Sequence, residues 1–392
     1  MKITRRSFVL ILLSCTTLLL PARLGAQQAA PAQAQSIAYV GTYTSKTASK
    51  GIYAYRFDAQ KGQLTSLGVA AEAVDPSFLA VHPNGKFLYA VNEVGNFNGG
   101  TTGAVSAFSI DAKTGALTLL NQVPSRGAGP CYISLDKTAA FALVANYDSG
   151  NIASFPIQGD GSLATASGFV QHSGSGPDKS RQEGPHAHWI GTSPDNRFAL
   201  VADLGLDEVI VYAFDALRGV FTPSLNGFAK VKPGAGPRHV TFSPNGKFVY
   251  VLSEMDSSVT AFSYEPKSGV LKNLQAISAL PNDYTGRKEA AEIAVHPSGK
   301  FLYASNRGHD SIAIFAIDAK KGTLRPLGHV LTGGKTPRHF VIDPTGNFLL
   351  AENQESNSIV VFHIDSATGS LTPTGQTVDV PSPVCITFVA PE

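Results

Sequence analysis

The sequence predicts an all-β protein, a seven-bladed β-propeller of four-stranded antiparallel blades whose ring is closed by N- and C-terminal strands. Three observations lead there. One line of sequence recurs at intervals of 47 to 57 residues. Its apolar residues alternate with a period of two, and no helical period of 3.6 appears between copies. Glycine (38) and proline (24) are plentiful among the 392 residues, as tight turns between many short strands require.

Taken in chain order, the first element is a targeting segment. "TRRSFVL" (4–10) places Arg5 and Arg6 before an apolar run from Phe8 to Leu20. This pattern matches a twin-arginine export signal, with cleavage expected after Ala26 and a linker over 27–36. The run is too short for a membrane span. "LLSC" weakly resembles a lipoprotein box, so lipidation at Cys15 is the lesser alternative. The protein is therefore expected outside the cytoplasm, in the periplasm or beyond the cell. Past Ala26 only Cys131 and Cys385 remain, which implies no disulfide framework. The net charge of +2 and the lack of a basic run argue against a nucleic-acid partner.

The propeller is expected over 37–392. Its opening strands, "IAYVGTYT" and "GIYAYRFD", with "LTSLG", lack an inner strand. Complete copies then begin at Pro76, Pro130, Ala187, Pro237, Ala290 and Pro337, for example "PSFLAVHPNGKFLYAVNE" and "PRHVTFSPNGKFVYVLSE". Each continues into an alternating strand, a turn and a "G-x-L" line. "VCITFVAP" near the C-terminus is an inner strand without a sequel. Joining the two fragments makes the seventh blade and removes the open edges of a linear array.

Shared residues build the blade, so function is sought where the copies differ. We align them on the Pro of the "P-x-G" turn (Pro83, Pro194, Pro244, Pro297 and Pro344, with Lys137 in its place in one copy). Six residues before it stand Ser77, Cys131, His188, Arg238, Ala291, Arg338 and Cys385. Nine and ten residues after it stand pairs such as Asn92-Glu93, Asn146-Tyr147, Asp203-Leu204, Ser253-Glu254, Asn306-Arg307 and Asn353-Gln354. The first column opens each inner strand and the second closes the next one. Antiparallel pairing puts both at one end of the blade, and closure gathers them around one mouth of the channel. Histidine, arginine and glutamate collected there mark a candidate active site.

The chain resembles the seven-bladed lactonase family, whose members include 6-phosphogluconolactonases and, among fungal relatives, carboxy-cis,cis-muconate cyclase. The resemblance rests on "QEGPHAH" (182–188), "FALVADLGLDEV" (198–209), "GPRHVTFSPNGKFVYVLSE" (236–254) and "FLYASNRGHDSI" (301–312). It implies a catalytic group of His188, Arg238, Glu254 and Arg307, all within the two columns. His188 would be the base for a water and the arginines would hold an oxyanion and an anionic group of the substrate. Glu254 would orient the histidine, restrain an arginine, or itself act as base. Arg338 is a second substrate clamp or a tie between blades, and Glu93 and His186 are candidates for substrate contact. No cofactor or metal is expected, and the partner is a small lactone, anionic in character, bound by a monomer. Lys179, Arg181, Arg287 and Lys288, on insertions at 172–184 and 281–292, overhang the same mouth.

Other readings stand beside these. His186 and His188 with Asp203 or Glu183 offer a metal set, and the asparagines offer calcium ligands, although two arginines nearby oppose a cation. Asp203 is expected as a turn residue or a blade clasp, and His82 and His296 as turn residues. Trp189 is expected in the core, and His239 and His339 in packing on the face opposite the arginines. A non-catalytic propeller binding carbohydrate or protein, or a cycloisomerase like the muconate enzyme, are the alternative functions.

Overall fold

The computed structural model describes Met1 and residues 35–389. The export segment after Met1, including Cys15, and all but the end of the 27–36 stretch lie outside the described residues. The first strand, Gln35–Thr42, opens inside that stretch.

Seven four-stranded antiparallel sheets form the ring. The inner strands are short, six residues each in Pro130–Leu135, Ala187–Thr192, Pro237–Phe242, Ala290–Val295 and Pro337–Ile342. The seventh sheet joins the chain ends: Pro383–Val389 pairs antiparallel with Gln35–Thr42, with Tyr39 opposite Thr387. Among the described residues the only helix is a 3-10 turn at Phe97–Gly99.

Second strands such as Phe198–Asp203 and Phe248–Ser253 are buried along their whole length. Both faces of these strands meet neighbouring blades, so their sequences run apolar without polar alternation. The core is consequently a set of clusters, each filling the space between neighbouring blades. One joins Trp189, Leu200 and Val211 to Val240, Val251 and Phe262 of the next blade. Trp189 thus packs in the core as its place in the repeat suggested. Tyrosines of the second strands tie blades together, the Tyr39 hydroxyl donating to Gly115 O (3.0 Å) and Tyr303 to Gly369 O (2.8 Å).

One local feature positions the site. Six inner strands carry a bulge at their start, between Pro130 and Tyr132, Ala187 and Trp189, Pro237 and His239, Ala290 and Ile293, Pro337 and His339, and Pro383 and Cys385. The extra residue breaks the alternation of sides. In the copies of Arg238 and Arg338, the residues six and five before the anchor therefore both face inward. The expectation that His239 and His339 lie on the opposite face from the arginines is overturned. Both line the channel with Arg238 and Arg338, around a cavity of about 10 Å³ that also touches Ser77, Phe78 and Glu93.

Candidate active site

The two sequence columns meet at one mouth. A cavity of about 240 Å³ there is lined by Glu93, Cys131, Tyr147, Arg181, His188, Glu254, Glu289, Arg307 and Arg338. A larger surface depression, about 540 Å³ and bordered by Lys46, Glu355 and Asp379, contains no histidine or arginine. The chemistry converges in the smaller one.

Glu254 is the hub. Its Oε1 accepts from Arg181 Nη2 (2.6 Å), and its Oε2 accepts from Arg238 Nε (3.0 Å) and pairs with Arg307 Nη2 (2.7 Å). Burial alone would raise its pKa, but Arg307 and Arg238 outweigh it and hold the carboxyl well below the usual range. Arg238 also donates through Nη1 to Ala291 O (2.6 Å), and Arg307 through Nη2 to Ala290 O (3.2 Å). Burial pushes both guanidiniums down to about 10, which leaves them charged at neutral pH.

Arg338 lies across the cavity. Its Nη2 donates to the Tyr43 hydroxyl (2.8 Å), which donates to Glu93 Oε2 (2.9 Å), and its guanidinium sits 5.3 Å from the Tyr43 ring centre. Burial favours its neutral form, but Tyr43 and Glu93 reverse that and raise its pKa. Arg338 is thus both a tie between blades and a wall of the cavity.

His188 is buried with Nδ1 3.7 Å from Cys131 Sγ, and its ring meets Tyr147 and His239 edge-on at 5.5 and 5.2 Å. Burial first, then Arg238 and His239, hold its pKa well below 6.5, so the imidazole is neutral. The Cys131 thiol is pushed well up by burial and Glu93 and stays protonated.

His186 is not part of this lining. It stacks on Tyr147 at 4.5 Å, with Nδ1 at Tyr147 O (3.0 Å) and Nε2 at Glu183 (3.3 Å), and so backs a wall residue. Asp203 is the clasp the repeat suggested: it binds His172 Nδ1 (2.6 Å) and accepts from the His186 amide (2.8 Å). The two histidines and Asp203 therefore serve different partners. Among the described residues no set of three or more histidine, cysteine, aspartate or glutamate side chains is arranged to hold a metal ion. The column asparagines spend their amides on backbone carbonyls, Asn92 on Val74 (2.7 Å) and Asn306 on Ala279 (2.7 Å).

Of the insertion charges, Arg181 reaches the site. Lys179 bonds Gly176 O in its own loop (3.2 Å), and Arg287 pairs with Glu289. The residues missed are Tyr43 and Glu289. Tyr43 follows Thr42, which pairs with Pro383 as Asn353 pairs with Pro337. It therefore occupies the second column of the split blade, and extending the alignment across the chain ends would have found it. Glu289 stands eight residues before its anchor Pro297, where other copies carry Gly236 and Thr336, a position just outside the two columns compared.

The comparisons agree with this fold. The family model "Lactonase, 7-bladed beta-propeller" matches residues 37–388. The chain belongs to the seven-bladed β-propeller lactonase family. It is 40% identical to the 6-phosphogluconolactonase of Bacillus subtilis (strain 168) over 288 residues, 74% of this chain and 79% of that one. It is 37% identical to the 6-phosphogluconolactonase of Formosa agariphila, over 74% of this chain and 82% of the other. Among solved structures, the periplasmic gluconolactonase PpgL of Pseudomonas aeruginosa superposes with a TM-score of 0.84 at 34% identity, covering 91% of this chain and all of that one.

Proposed function

We propose that the chain is a lactonase that opens the ring of a sugar-acid lactone without a metal, using His188 as base. The observation that carries this reading is a neutral imidazole beside guanidiniums already fixed on one carboxylate. His188 takes a proton from water as its oxygen attacks the lactone carbonyl. Arg307 and Arg338, on the cavity wall, donate to the resulting oxyanion and to polar groups of the ring. Collapse breaks the ring C–O bond, His188 returns the proton to the departing alkoxide, and the hydroxy acid leaves.

Glu254 is not the base in this scheme. A carboxylate bound to three guanidiniums is a poor proton acceptor. It holds the arginines in place, at no cost of reorganisation when the oxyanion forms.

The volume suits one sugar ring, being below the roughly 300–1,000 Å³ typical of drug-sized sites. Three arginines face three glutamates in the lining. That balance favours a neutral or singly charged lactone over a phosphate dianion. The paired arginines near the N-terminus support an exported enzyme, where unphosphorylated lactones are the accessible class. The test is a panel of 1,4- and 1,5-lactones of sugar acids, phosphorylated and not, with spontaneous hydrolysis subtracted. Turnover lost in His188→Ala with an unchanged melting temperature is the expected result. No rate above the spontaneous one for any lactone would overturn the reading.

A further inference from the structure

His239 belongs to no role assigned so far. It lies one step deeper in the channel than Arg238 and its ring is enclosed by Phe78, Tyr132 and His188, with centroids 5.1 to 5.8 Å away. Its two nitrogens are both engaged. Nε2 is 3.2 Å from Arg238 Nη1, and Nδ1 is 2.9 Å from Glu292 Oε2. Glu292 is fixed in turn, its Oε1 accepting from the Ile293 amide (2.9 Å) and its own amide donating to Ser305 Oγ (2.9 Å). His339 approaches Glu292 Oε2 from the other side at 3.3 Å and binds Glu352 at 2.7 Å.

The chemistry of these partners fixes the tautomer. A guanidinium has only donors, so the nitrogen facing it must accept. The single proton of a neutral imidazole is then on Nδ1, directed at the Glu292 carboxylate. Burial, Arg238 and His339 keep His239 neutral. The result is a chain Glu292–His239–Arg238 in which a buried carboxylate orients a histidine and the histidine orients an arginine. Second partners orient metal-ligating histidines in the same way.

We propose that His239 is a positioning residue that, through Nε2, fixes the guanidinium of Arg238 against Glu254 for the reaction. This rests on the lactonase reading above, and two measurements separate the two. The first compares His239→Phe with His239→Gln. Phenylalanine suits the aromatic surroundings but cannot accept a hydrogen bond, whereas the glutamine carbonyl accepts near the position of Nε2. If His239 only packs, Phe retains activity and Gln loses it. If it positions Arg238, kcat falls about 10–100-fold in the Phe variant, as for other orienting partners, and Gln recovers part of the loss, with thermal melting as the control for folding. Phe equal to wild type in kcat overturns the proposal.

The second measurement needs no turnover: nitrogen-15 spectra of histidine-labelled protein between about pH 6 and 8, with His239 assigned by its absence from the Phe variant. A proton on Nδ1 and none on Nε2 supports the chain. A proton on Nε2, or an imidazolium, overturns it even in a chain that proves to hydrolyse no lactone.

Discussion

At the scale of single residues, the site is decided by which charges are buried and which remain reachable. Arg238, Glu254 and Arg307 are buried, while the Arg181 side chain is 40% exposed. Arg181 is therefore the member that can leave Glu254 and meet an arriving substrate. Arg181→Ala is expected to raise KM while leaving kcat within a few-fold of wild type. Arg307→Ala, which removes a donor in the cavity wall, should lower kcat by about 10²–10³, the cost of one oxyanion donor. Steady-state kinetics on the best lactone of the panel separates the two, and equal effects on KM and kcat would contradict this division. His188 also makes a pH prediction. Its folded pKa lies well below 6.5, so the base form persists where an exposed histidine would already be half protonated. The kcat/KM profile should stay flat through the range in which an exposed histidine titrates and fall only below it. The sign for stability follows: the unfolded chain takes up a proton near pH 6.5 that the folded His188 refuses. Its contribution is therefore present above about 6.5 and declines as pH falls towards the folded pKa.

At the scale of elements, two turns hold the insertions in place. Gly205 lies against the Gly184 carbonyl, at the end of the insertion that carries Arg181, and Gly308 lies against the Arg287 carbonyl. A Cβ at either position would overlap the carbonyl oxygen, and backbone cannot move aside as a flexible side chain can. Tyr284 reinforces the second contact, its hydroxyl donating to Gly308 O (2.7 Å). The amide of Arg307 donates to Glu289 O (2.7 Å), so moving this loop moves an arginine of the candidate site. Gly308→Ala is expected to destabilise by about 1–3 kcal/mol, the usual range for forced overpacking, and to lower kcat as well. Urea melts together with kinetics check it, and unchanged activity would mean that the insertion does not set the arginine. The inner-strand bulges are the second device. They turn a two-sided strand into one that presents Arg238 and His239 to the same channel, and for that reason simple alternation misplaced His239 and His339.

At the scale of the whole molecule, the site exists only because the ring closes. Tyr43 directly follows the N-terminal strand and its partner Arg338 belongs to the last complete copy, 295 positions away in sequence. Pro383–Val389 supplies the inner strand of the shared blade. Truncation after Val380 should therefore expose the edge of Gln35–Thr42 and dismantle the Tyr43–Arg338–Glu93 wall. The expected outcome is a chain that elutes as aggregate in size-exclusion chromatography and has lost activity; a soluble, active truncation would refute the closure argument. The sequence by itself determined the number of blades, the split of the seventh and the two columns that hold His188, Arg238, Glu254, Arg307, Arg338 and Glu93. Repetition makes such features visible, because each copy serves as a template for the others. The tertiary structure decided what repetition cannot carry: that three arginines share Glu254, that His186 backs Tyr147 outside the cavity lining, that Arg181 alone of the named insertion charges lines the cavity, and that the bulges turn His239 inward. Those facts depend on a one-residue change in strand register and on loops without register, and contacts across the ring are set by its closure, to which no local pattern of residues is sensitive.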